Sequence, residues 1–266
     1  MLFNKMTFKN ITIFSIVIFL MFFNCIKSEN IEQIIDKLSC QDREDLEKLF
    51  CYFIHQDHFA YTLFGDKPVS ISGNFNMTPW ENILEIHDSG EVMLKQWHVW
   101  EKYFNQFTFK NFILYKEVNE LTFKIILINK KFFLKTIEEN TDIFENIIGK
   151  KIQPEIFLKD IEQHKVSFHE SICNSEFLLG LLLGYGKHNA LLFCQRGKIA
   201  TYSCLKPFGD YNYSLIRMDP VHFMADYNHS NTKILQKKYE KQRENISIIF
   251  HDGHFLEKTL HQLTSN

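Results

Sequence analysis

Proline and glycine are scarce in this chain, 5 and 10 in 266 residues. All-β folds spend both on frequent turns and disordered chains are enriched in them, so neither class fits. No cysteine pair has C-x-x-C spacing, which removes a zinc ribbon and a thioredoxin-like motif. Lys and Arg form no dense cluster, and phosphate binding needs one, so a nucleic-acid partner is not expected. Beyond position 23 no apolar run approaches the length of a membrane span. The longest, Phe177–Leu183, has seven residues and suits a buried helix. Internal repeats and low-complexity linkers are also missing.

The familiar catalytic patterns fail on spacing. Gly180-Leu-Leu-Leu-Gly184-Tyr-Gly186-Lys187 invites comparison with a phosphate loop. Leu181 stands where the first glycine belongs, and His188 replaces the hydroxyl residue. These glycines are expected to permit close helix packing or to end a helix. His55-x-x-His58 and His251-x-x-His254 each offer two imidazoles, without the Glu of H-E-x-x-H or a third ligand. The first reads as a solvated helix end, the second as a turn. No metal and no cofactor are expected. His169 and Cys173 stand four residues apart and can touch on a helix. A reactive thiol must be exposed, and the apolar helix after Cys173 implies burial.

The N-terminus is the most informative stretch present. Lys5 and Lys9 precede an apolar run from Ile11 to Phe23, followed by Asn24 and Cys25. A positive start and an apolar middle of this length describe an export signal. A helix over the run is about 20 Å long, short of a hydrocarbon core of about 30 Å. Cys25 occupies the place of the acylated cysteine in bacterial lipoproteins, although Asn24 departs from the usual small residue. The layout expected is an export signal over 1–24 and a single α+β domain over 25–266. Cys25 is then the first mature residue and a lipidation site, or an unmodified part of the apolar segment. Membrane association, by this segment or by acyl chains, is the partner expected.

Removing residues 1–24 leaves 28 Lys and Arg against 32 Asp and Glu, a net charge of −4. Cys40, Cys51, Cys173, Cys194 and Cys204 remain. One disulfide among the last three is open, with buried free thiols the simpler arrangement for a domain of this size. Sequons at Asn76, Asn212, Asn228 and Asn245 matter only in a eukaryotic cell.

Helical periodicity marks 32–38, then a helix from Asp42 with Leu46, Leu49, Phe50, Phe53 and Ile54 on one face. Gly65-Asp66-Lys67-Pro68 is a turn, and Val69, Ile71 and Phe75 alternate as a short strand. Thr78-Pro79-Trp80-Glu81 starts a helix that Ser89-Gly90 breaks. The next carries Met93, Trp97, Trp100, Phe104 and Phe107. Residues 112–118 and 121–128 form a hairpin. Short helices follow at 131–138, 142–148 and 154–163. Ser167-x-x-Glu170 caps a long helix reaching Tyr185. Strands are expected at 214–218 and 221–225. Ser230 or Asn231 caps a solvent-facing helix over 232–244. Then come an apolar segment, 246–250, a turn at Asp252-Gly253 and a terminal helix over 255–263. The sum is a helix-rich α+β fold with a small antiparallel sheet.

Binding is expected where aromatic rings meet charge in a turn: Tyr61, Phe64, Asp66 and Lys67 in the block up to Ser70, joined by Tyr185 and Lys187. Three blocks carry a resemblance: Phe59–Ser70, Leu179–Ala190, and Tyr239-x-x-x-Arg243 with Phe255-Leu-Glu257. In them the chain resembles an uncharacterised family of exported or lipoprotein-like proteins of chlamydia-like and legionella-like intracellular bacteria. The resemblance implies a bacterial envelope setting and brings no activity or catalytic residue. The function expected is a non-enzymatic, envelope-associated or exported binding or interaction protein. The alternatives are a hydrolase or transferase using a pocket near Tyr61–Ser70 and Tyr185–Lys187, and a secreted effector.

Overall fold

The computed structural model describes residues 31–77, 89–105, 107–196, 205–207 and 218–265. The export segment, Cys25, the helix start at Thr78-Pro79, Cys204, the sequon at Asn212 and nearly all of the expected strand 214–218 lie outside them. The chain divides at Ser39. The first part contributes one described helix, α1 (Ile31–Lys37). All that follows belongs to the second part.

The fold is α+β, helix-rich with a small antiparallel sheet. Helix α2 (Cys40–His55) buries Leu46, Leu49, Phe50, Phe53 and Ile54, the stripe its sequence spacing gives. A short α3 (Phe59–Leu63) leads through the Asp66-Lys67 turn into β1 (Val69–Ile71) and β2 (Phe75–Asn76). Helix α4 (Ser89–Phe104) packs on α2, with Trp100 edge-on to Phe50 at 5.3 Å and stacked on Phe104 at 4.6 Å. Ser89-Gly90 opens this helix. Gly90 sits so close to β2 that a Cβ would come within 2.2 Å of the Asn76 carbonyl oxygen.

Strands β3 (Phe112–Val118) and β4 (Thr122–Asn129) form the expected hairpin. β4 is the centre of the sheet, with β3 along one side and β1 and β2 along the other. Every β4 residue from Phe123 to Asn129 is buried. A strand turns alternate side chains to opposite faces, so both faces of β4 are covered. Ile126 and Ile128 join the core formed with α5 (Lys130–Glu139), α6 (Thr141–Ile148), α7 (Pro154–Glu162), α8 (Phe168–Ser171) and α9 (Glu176–Leu182).

The long helix expected from Ser167 to Tyr185 is two helices. The capping box at Ser167 and Glu170 forms as read, but Cys173 and Asn174 both adopt φ of 53°, a left-handed conformation that ends a helix. Ser175 then accepts from Leu178 N–H and starts α9 afresh. After α10 (Lys187–Cys194), strand β5 (Leu205–Pro207) pairs with β6 (Met224–Asp226), displaced from the expected 221–225. Helix α11 runs Ser230–Ile249, capped by His229 instead of Ser230 or Asn231, and it absorbs most of the apolar segment 246–250. It is not solvent-facing throughout: Thr232, Tyr239 and Ile246, seven apart, are buried. α12 (Phe255–Thr264) returns to α2, where Glu47 accepts from Phe255 and Leu256 N–H at 2.7 and 2.8 Å.

Candidate functional site

Two of the sequence blocks meet in a cleft of about 420 Å³. The turn before β1 supplies Asp66 and Pro68. Helix α5 supplies Phe132, Lys135, Thr136 and Glu139, and the α9–α10 turn supplies Gly184, Gly186 and Lys187. Leu181 of α9 and Leu235 and Lys238 of α11 complete the wall. The α9–α10 turn needs its glycines, because Gly184 and Gly186 hold φ of 78° and 79°. It is pinned to α11 by the Tyr239 hydroxyl, which donates to the Gly184 carbonyl at 2.9 Å. Gly180 explains how α9 and α10 lie so close. A Cβ there would stand 2.8 Å from the Ala190 Cβ. The close-packing reading of these glycines holds.

Charge in the cleft is nearly balanced. Asp66 pairs with Lys238 at 3.0 Å and accepts from Gln242 at 2.8 Å. Lys135 faces Glu139 at 3.7 Å. Lys187 is exposed, and it has no ion pair among the described residues. It stands at the first turn of α10, whose leading backbone N–H groups have no partner within the helix. This end of the cleft is therefore the electropositive one.

Behind the Asp66–Pro68 wall, Lys67 is 1% exposed. Its ammonium donates to the Val69 carbonyl and to Ser70 Oγ, the latter at 3.2 Å. Ser70 donates to the His58 carbonyl at 2.9 Å and shares a 2.7 Å bond with Thr62. Asp57 closes the cluster. As a residue it is half-buried, but its Oδ2 is shielded and has no hydrogen-bond partner. Burial pushes the Asp57 carboxyl up to about 7, opposed by the Gly73 backbone and the charge of Lys67. Burial likewise pulls Lys67 down to about 7, opposed by Asp57. His58 is held well below the usual histidine range, by burial first and then by Lys67 and His222. Its ring lies 4.7 Å from that of His222, and its Nε2 is 3.1 Å from the Pro220 carbonyl.

Of the six expected binding residues, Asp66 and Lys187 line the cleft together. The other four do not. Lys67 is walled off behind it. Tyr61 is fully buried, its hydroxyl donating to the Asp219 carbonyl at 3.0 Å and its ring edge-on to Tyr239 at 5.7 Å. Phe64 packs on Phe250 at 5.4 Å, and Tyr185 stacks on Phe223 at 4.3 Å. Each of the three rings packs on another ring outside the cleft, with Tyr61 alone fully in the core. Asp57 and Ser70 were legible only as neighbours of His58 and Lys67, and α5 and α11 carry no local signal for a cleft.

His58 precedes the first turn of α3 and is half-buried, its imidazole turned to Pro220 and His222 and not to open solvent alone. Cys173 is exposed, not buried, because the left-handed turn carries it off the α9 face; Cys40 and Cys194 are exposed too, and Cys51 is half-buried. All four are free thiols. His169 turns to Lys124, with 2.9 Å between Nδ1 and Nζ, and to Glu117 at 3.5 Å. Among the described residues no three His, Cys, Asp or Glu side chains are grouped to hold a metal, and no helix is long and apolar enough to cross a membrane. No family model matches the chain, and neither a curated protein nor a solved structure is similar to it.

Proposed function

We propose that this is a non-enzymatic binding protein of the bacterial envelope or exterior, with a small monoanion of apolar body as its ligand. The observation that carries the reading is the cleft joining Asp66–Pro68 to Gly184–Lys187. Among the described residues it has an unpaired cation, Lys187, at one end, and it has Leu181, Leu235, Phe132 and Pro68 along its walls. An anion at Lys187 gains an ion pair and the α10 N-terminal dipole. Its apolar body gains burial. The export signal and an acylated Cys25 belong to the same proposal. On this reading the cleft works outside the cytoplasm, and a measured mature mass starting at Cys25 with added acyl chains would support the anchored form.

The test is titration of the full mature chain with octanoate, octanamide and inorganic phosphate, followed by NMR of the Leu methyl groups. A ligand of this size is expected to bind on the order of 0.1–1 mM. Octanoate should shift Leu181 and Leu235, octanamide should bind more weakly, and Lys187→Ala should cost about tenfold. Absence of shifts at those two leucines with octanoate would overturn the reading.

A hydrolase or transferase is the second reading. One observation favours it: Lys67, its ammonium lowered to about 7, lies 3.2 Å from Ser70 Oγ. A lysine so poised is a competent general base. Ser70, however, is fully buried, and its own hydrogen is committed to His58. Labelling of Ser70 by a fluorophosphonate, lost in Ser70→Ala, would favour this reading over binding.

A further inference from the structure

Helices α10 and α11 each begin with an imidazole, and the two meet. His188 stands in the first turn of α10, and His229 is the N-cap of α11. Their rings stack face to face, 3.7 Å between centroids and 14° between planes. His188 Nε2 lies 3.1 Å from Asp226 Oδ2 at the end of β6, so this nitrogen carries a hydrogen. His229 Nδ1 accepts from the Asn231 N–H at 3.3 Å, so that nitrogen carries none. Both rings are half-buried and within reach of solvent protons.

The surroundings make the two rings unequal. Among the described residues Asp226 is the one carboxylate within ion-pair distance of either ring, and it serves His188. His188 first, then the Asn228 N–H, holds the Asp226 carboxyl below the usual carboxylate range. A proton on His188 therefore completes an ion pair and leaves the cap intact. A proton on His229 turns its acceptor nitrogen into a donor facing the Asn231 N–H. It also sets a second cation against a charged ring, near Lys187 and Lys233, at the positive ends of two helix dipoles. The joint takes one proton without rearrangement and a second only by giving up the cap of α11.

The joint reaches the cleft. Asn189, 3% exposed, accepts from the Asp226 N–H and the Thr232 hydroxyl, each at 3.0 Å, and donates to the Tyr185 carbonyl at 3.0 Å. It ties β6 and the first turn of α11 to the turn that carries Gly184 and Gly186. Lys187 precedes His188, and Leu235 and Lys238 follow one turn along α11 as cleft wall.

We propose that His229 is an acid-labile cap, through which protonation of the α10–α11 joint loosens the cleft and releases its anion. The coupling to the cleft rests on the binding reading above; the cap itself does not.

The test compares the full mature chain at pH 7.5 and pH 5, an interval in which imidazoles charge. Exchange of the Asn231, Thr232 and Lys233 amides, corrected for its intrinsic pH dependence, should accelerate about fivefold on acidification, as loss of an N-cap implies. His229→Asn supplies a cap that does not titrate and should abolish the acceleration. His188→Gln removes the charged neighbour, so the acceleration should begin at higher pH. The cleft is probed with octanesulfonate, whose charge is constant over the interval. Its Kd should rise several-fold on acidification in the parent chain and stay level in His229→Asn. Asp57 and Lys67 titrate behind the cleft in both chains, so the comparison removes their share. Equal acceleration in the parent and His229→Asn, or none in either, with both folded by circular dichroism, would overturn the cap. Exchange as expected with an unchanged Kd would overturn the coupling. No binding of octanesulfonate at pH 7.5 would overturn the binding reading and the coupling with it, while the amides still decide the cap.

Discussion

The chemistry of Lys67 and Asp57 departs far from that of free side chains. Neither is within ion-pair distance of an opposite charge among the described residues, and both are drawn to about 7 by burial. The signs are opposite. Between about 4 and 7 the folded chain holds a proton on Asp57 that the unfolded chain has lost, so stability falls as pH rises. Between about 7 and 10 the unfolded chain keeps a proton on Lys67 that the folded chain has shed, so stability rises with pH. The pair's contribution is therefore least favourable near neutrality. In urea titrations across pH 5–9, Asp57→Asn with Lys67→Met is expected to flatten this dip and to gain about 1–2 kcal/mol at pH 7. An unchanged profile would show that the two groups do not titrate as described. The sequence marked Lys67 as part of a charged turn. It could not mark the burial, because the α9–α10 turn closes over it from far along the chain: a Cβ on Gly184 would stand 3.6 Å from Lys67 Cγ.

The contact between α9 and α10 shows how a single missing methyl sets geometry at the scale of elements. An added Cβ at Gly180 meets the Ala190 Cβ at 2.8 Å. Gly180→Ala should lower stability by about 1–3 kcal/mol despite alanine's better helix propensity, and Ala190→Gly in the same chain should recover part of the loss. Thermal melts of the two single variants and the double close the cycle, and additive effects would contradict the contact. Elements with their own period or cap were legible in advance: the α2 stripe, the β3–β4 hairpin, the Ser167 capping box and Pro154 at the head of α7. The break at Cys173-Asn174 was not. Neither residue is a glycine, and the left-handed turn exists because Ile172 and Leu178 both enter the core from opposite sides of it.

At the scale of the whole molecule, the second part of the chain is closed by its own end. Glu47 of α2 accepts two backbone N–H groups of α12, 208 and 209 residues away in sequence. Leu256, Leu260 and Leu263 bury the inner face of that helix. Glu47→Gln keeps the shape and loses the charge at a helix N-terminus. It should cost about 1–2 kcal/mol and advance hydrogen exchange in α2 and α12 together. Exchange altered in α12 alone would show that the two helices are not one cooperative unit.

By itself the sequence determined the class of fold and most of its elements, because periodicity, caps and turn residues act within a few positions of one another. It also set the N-terminal segment apart by charge and hydropathy. Tertiary structure alone decided which charges are buried and which are left exposed. Asp66 and Lys67 are neighbours in the chain, yet one lines a cleft and the other lies sealed behind it. That difference arises from packing against α5, the α9–α10 turn and α11, whose arrival no local pattern encodes.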